Sequence, residues 1–185
     1  MSTLSVDTIQ GQTTAANVKM PAGHIIQLQS DILTTNFVSS ASSSDWEDTP
    51  LSVSITPKYS NSKILITGMI NYSGASGDHI DLKIVRNNAD ILLSTESAGN
   101  RIKSHIHHYT GTNDDVYKIN NGVIYLLDSP GTTNALTYKL QGRTPYSAGY
   151  QFLLNRVATD ADAGYNAYTV STLQCMEISQ WVLYL

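Results

Sequence analysis

The chain has 185 residues, 41% hydrophobic and 14% charged, with a net charge of −4. This length suits one domain plus an appendage, and scattered Lys and Arg on an acidic background argue against nucleic acid as a partner. One cysteine, Cys175, excludes an intrachain disulfide, and its place in an alternating run marks it as a small buried residue. The residues after Met1 show no basic stretch followed by an apolar one, so no secretory signal is expected. No apolar run is long enough to insert in a bilayer, and synthesis in a cytoplasm is expected.

In chain order, Met1 to Ser30 is a polar, turn-rich arm with too few apolar residues to bury itself. Val6–Gln10 reads as a short docking strand, Gly11–Asn17 as a turn segment, and Met20-Pro21-Ala22-Gly23 as a break before a strand at His24–Gln29. Leu4, Val6 and Ile9 are the apolar anchors by which such an arm attaches to neighbouring copies or to another protein. Residues 31–185 follow a period of two almost throughout, which predicts strands. These are Asn36–Ser40, Leu51–Ile55 and the long apolar run Lys63–Tyr72, the expected central core strand. A Ser-rich link, Ser39–Ser44, and a loop, Pro57–Ser62, separate them.

Gly74–Gly77 turns the chain into a strand at His79–Arg86, and Asn87–Asp90 closes a hairpin with Ile91–Ser94. Arg101–Tyr109 is weakly strand-like, and Gly111–Asp115 is a loop. Val123–Asp128, Ala135–Gln141 and Tyr150–Leu154 follow as strands. Asp160–Asn166 is a loop, and Thr169–Ser179 is the last long strand before Trp181–Leu185. Many short strands joined by short turns predict an all-β fold: an antiparallel β-sandwich, jelly-roll-like, at residues 31–185, with an extended N-terminal arm at 1–30.

Three motifs in this body stand in a familiar order. Ser54-Ile55-Thr56-Pro57 leads through a Ser/Asn loop into Ser62-Lys63-Ile64-Leu65-Ile66. Next comes the long stretch Tyr125–Leu140, reading YLLDSPGTTNALTYKL, and then Cys175-Met176-Glu177-Ile178. Together with the leader Leu4–Thr14, this order resembles tail-fibre-type structural proteins of marine and cyanobacterial bacteriophages. The resemblance covers most of the chain. It implies a homotrimeric β-sandwich knob, held on a virion by its N-terminal segment and touching a host surface glycan or protein. It carries over no catalytic residue and no cofactor. The long shaft of a full fibre has no counterpart here, which keeps open the alternative of a capsid-decorating (cement) protein or a tail or baseplate adaptor.

Among residues with chemistry, Ser104-His105-Ile106-His107-His108 is the sharpest cluster. On a strand, His105 and His107 share a face, and three copies around an axis would gather imidazoles suited to iron, nickel or zinc. His79 is a further possible ligand, and the competing reading is three ordinary histidines on an exposed strand. Asp160-Ala161-Asp162-Ala163-Gly164 has calcium-like spacing without the closing Glu of an EF-hand, so a solvated loop is the better reading. No nucleophile elbow and no Gly-rich phosphate cradle occur, and enzymatic activity is not expected. The chain has 11 Tyr against two Phe. Tyr keeps a polar tip on an apolar ring, which makes Tyr146, Tyr150, Tyr165 and Tyr168, in or beside Gly- and Ala-rich loops, the expected surface contacts. Packing between protomers is the alternative for the same rings.

Overall fold

Strict alternation of apolar and polar side chains puts one face of each strand into a core, and the sheets of this chain form by that rule. A computed structural model describes residues 22–40, 45–75, 77–97, 99–111, 116–145 and 150–180. The anchors Leu4, Val6 and Ile9, the docking strand and turn of the arm, Tyr146 and Trp181–Leu185 lie outside the described residues. The described residues form eleven strands and no α-helix. They are β1 (Ile25–Leu33), β2 (Phe37–Val38), β3 (Glu47–Ile55), β4 (Lys63–Gly74), β5 (His79–Arg86), β6 (Ala89–Asp90), β7 (Ile106–Tyr109), β8 (Asn120–Asp128), β9 (Leu136–Arg143), β10 (Phe152–Leu154) and β11 (Ser171–Ile178). Ile25–Ser30, the last residues of the segment read as the arm, are thus the first residues of β1.

All pairings are antiparallel. Sheet A runs β1-β11-β4-β8, with β10 and β2 continuing beside the far end of β4; sheet B runs β3-β9-β5, with β6 and β7 sharing the other edge of β5. Along the chain β1, β3, β4, β5, β8, β9 and β11 alternate between the two sheets, with β7 following β5 within sheet B, and each sheet interleaves early strands with late ones. This is the jelly-roll arrangement, so the expected antiparallel β-sandwich is observed, while residues 1–21 of the expected arm lie outside the described residues. Leu51, Val53 and Ile55 of β3, and Ile80, Leu82 and Ile84 of β5, face Ile64, Ile66 and Ile70 of β4 across one core.

Two glycines set local spacing. A Cβ on Gly142 would stand 2.6 Å from the Phe152 ring, so the bare backbone of β9 lets that ring cross the sandwich. A Cβ on Gly122 of β8 would meet Ile106 of β7 at 2.5 Å. The hairpin after β5 is tighter than the sequence predicts. Asn87 and Asn88 have φ of 49° and 65°, the left-handed pair of a two-residue turn that Asn tolerates. The return strand is therefore only β6, and Ile91–Ser94 leaves the sheet, turning at Leu92 with φ 50°.

Polar side chains lock the ends of the sandwich. Glu177 of β11 is fully enclosed and accepts from Gln27 Nε2 (2.6 Å) and the backbone N–H of Lys58 (2.8 Å) and Tyr59 (3.2 Å), pinning the Pro57–Ser62 loop. Burial alone pushes this carboxyl up, but the hydrogen bonds outweigh it and hold its pKa below the ordinary value. Tyr138 donates to Asp128 (2.7 Å), which also takes Arg86 (2.5 Å). Cys175 is buried as expected, and burial, with the nearby Asp128, pushes its thiol up to about 12.

The outer faces of the two sheets differ in character. On sheet B, Asp48 pairs with Lys139 (2.5 Å), and Trp46 lies over Lys83 (4.1 Å) and Arg143 (5.6 Å). On sheet A, three rows cross all four principal strands in register: Leu28–Met176–Leu65–Leu127, Ser30–Gln174–Thr67–Tyr125 and Ile32–Thr172–Met69–Val123. None of these twelve positions carries a charge.

Candidate functional site

The connection from β10 to β11 is a long excursion, and its residues build an open cleft of about 510 Å³. Asn155 fixes the base of this loop. It is buried, sits at φ 64°, and donates through Nδ2 to the carbonyls of Leu33 (2.8 Å) and Thr35 (2.9 Å), while Ser171 Oγ donates to its Oδ1 (2.6 Å). The returning chain is tied back by Thr169 N–H on the Asn155 carbonyl (2.9 Å) and by a bridge between Arg156 and Tyr168. Within the loop, Asn166 donates to the Ala161 carbonyl (2.7 Å).

Tyr168 lines the cleft with Asp160, Asp162 and Asn166. It is 67% exposed, and its hydroxyl donates to Asp160 (2.8 Å), a bond that raises the phenol pKa. Tyr165 is 69% exposed and packs edge-on against Tyr117 with ring centres 5.6 Å apart. Asp160 also pairs with Arg156 at 3.0 Å, so the first carboxylate of the calcium-like run serves the loop's own structure. Tyr150 is half-buried before β10 and is not among the lining residues of the cleft; its carbonyl accepts from Thr144. Of the four tyrosines singled out from sequence, the structure places Tyr165 and Tyr168 together in one exposed loop. Tyr117 was missed, because nothing local distinguishes it from an ordinary loop tyrosine.

The structure separates the two predicted histidine ligands. His105 precedes β7 and turns toward β5, where its Nδ1 accepts the Ile84 N–H (3.0 Å) in the gap between β6 and β7. Burial lowers its pKa, only partly offset by the carbonyls of Leu92 and Ile91. Its other ring nitrogen is enclosed, so His105 does not fit a ligand shared with His107. His107 instead bonds through Nδ1 to Asp81 Oδ1 (2.7 Å), which also accepts from Ser104 Oγ (3.1 Å). A buried carboxylate holding one imidazole nitrogen is the arrangement that orients a metal-binding histidine by the other. The ring stacked on His107 is that of His79, 5.3 Å away. Among the described residues, no three His, Cys, Asp or Glu are grouped to hold a metal ion within one chain. No known protein-family model matches the chain, and no curated protein matches it.

Proposed function

We propose that this chain is a bacteriophage virion structural protein of the tail-fibre type, a homotrimer attached through its N-terminal arm and binding a host surface through the loops of its jelly-roll knob. The observation that carries this reading is the β10–β11 loop. It holds Tyr165 and Tyr168 far out in solvent beside Asp162 and Asn166, on a base fixed by a buried asparagine. Exposed rings with neighbouring carboxylate and amide groups suit a saccharide, whose C–H faces stack on aromatics while its hydroxyls find donors and acceptors. Single contacts of this kind are weak, and several copies acting together supply the avidity.

The test uses the full chain on immobilised bacterial surface polysaccharides. Wild type is expected to bind, and a Tyr165→Ala, Tyr168→Ala double variant to lose at least tenfold in apparent affinity with an unchanged Tm. Equal binding by both proteins would contradict the loop's role. No catalytic step belongs to this function, and release of new reducing ends from the same polysaccharides would contradict that. A second reading, a capsid-decorating protein or tail adaptor without a receptor, is favoured by the three uncharged rows on the outer face of sheet A, which suit permanent assembly.

A further inference from the structure

We infer that the outer face of sheet A is the surface on which copies of this chain meet; the inference rests on the oligomeric reading above and names its interface. An antiparallel sheet commonly turns a polar face to water. Here Val123 is 71% exposed, Tyr125 73%, Ile32 57% and Leu28 51%. With Met69, Leu127 and Ile25, the large side chains of this face expose roughly 800 Å², about what each partner buries in a standard-size interface. Exposed apolar rows of that extent bordered by polar side chains mark an interaction surface.

The chemistry of the face selects its occupant. Its three rows carry no charge, and Lys63, one row beyond them opposite Ile178, stands at the margin, so the rows offer little electrostatic handle to a foreign partner and meet their own copies without like-charge repulsion. The middle row, Ser30–Gln174–Thr67–Tyr125, supplies donors and acceptors between two apolar rows, which fixes register when the same surface is repeated. The outer face of sheet B, with Asp48, Lys139 and Arg143, has the opposite character. Copies turned with sheet A toward a common axis therefore bury the apolar face and leave the charged face in water. The assembly closes on itself and does not propagate as a stack.

The test is sedimentation velocity of the full chain at micromolar concentration. Wild type is expected to sediment as an oligomer, and an Ile32→Lys, Val123→Lys double variant as a monomer with an unchanged far-UV spectrum. Ser54→Lys, on the opposite face, is expected to leave the oligomer intact. A second measurement decides the matter should the double variant fail to fold. With Cys175 buried, the thiol of Met69→Cys is expected to react with a maleimide at least 100-fold more slowly than that of Ser54→Cys in the assembled protein. A monomeric wild type would overturn both the oligomeric reading and this interface. An oligomer that survives the lysine substitutions, or that reacts at Met69→Cys as fast as at Ser54→Cys, would overturn the interface alone.

Discussion

Replacing Asn155 tests how the loop between β10 and β11 is held. The side chain satisfies the buried Leu33 carbonyl and the part-buried Thr35 carbonyl and receives the Ser171 hydroxyl, so Asn155→Ala breaks three hydrogen bonds at once. A typical net hydrogen bond contributes about 1 kcal/mol, and a buried group left without its partner costs about 1–3 kcal/mol. Alanine must also adopt φ 64°, at a cost of about 1–2 kcal/mol for a residue with a Cβ that lacks the local bonding of Asn. The combined loss is about 3–5 kcal/mol, a large share of the roughly 5–15 kcal/mol that holds a domain together. Asn155→Gly separates the two contributions, since glycine tolerates the left-handed backbone but makes none of the bonds; it is expected to be about 1 kcal/mol less damaging than Ala. Denaturant unfolding at fixed protein concentration, with m unchanged, gives both numbers. An Asn155→Ala variant within 1 kcal/mol of wild type, or a Gly variant worse than Ala, would refute this assignment.

Three further outcomes follow from the packing. Gly142→Ala places a methyl 2.6 Å from the Phe152 ring and 2.9 Å from Leu82 Cδ2, and is expected to cost about 1–3 kcal/mol through forced repacking; a neutral effect in denaturant unfolding would show that β9 yields without strain. Glu177 has a depressed folded pKa, so its stabilisation is complete above its ordinary value, about 4.3, and is lost as pH falls through the lower folded value. Glu177→Gln is expected to lower Tm at pH 7 and flatten its decline in acid; an unchanged acid slope in a Tm series contradicts this. The Cys175 thiol, buried and shifted to about 12, is expected to resist thiol reagents at pH 8 until the chain unfolds, and rapid labelling of the native protein would disprove its enclosure.

Much of the fold was legible because alternation maps directly onto burial. Leu51, Val53 and Ile55 are buried, and so are Ile80, Leu82 and Ile84. The polar members of β5 were less legible. Asp81 and Lys83 are also buried, at 0% and 5% exposed, because Trp46 and the segment before β7 reach them from distant parts of the chain. The two histidines take different partners, Ile84 N–H for His105 and Asp81 for His107, because β7 starts at Ile106 and His105 stands outside the strand, where the two-residue period no longer sets its direction. The outer face of sheet A left little trace, since the outward positions of Lys63–Tyr72 set Leu65 and Met69 among Lys63, Thr67 and Asn71. A core strand was inferred from that run through its inward Ile64, Ile66 and Ile70, which are buried. Tyr165 and Tyr168 were found through the Gly- and Ala-rich loop around them, whereas the asparagine beneath them gave no signal, since burial in a left-handed turn depends on four strands meeting there.

The most direct measurement of the proposed role is where the chain sits on an assembled phage particle, read by electron microscopy with a label fused to the C-terminal end. Label at the distal end of the tail, in copies related by threefold symmetry, is the predicted result. Label spread over the capsid shell would contradict host attachment and leave the capsid-decorating role in its place.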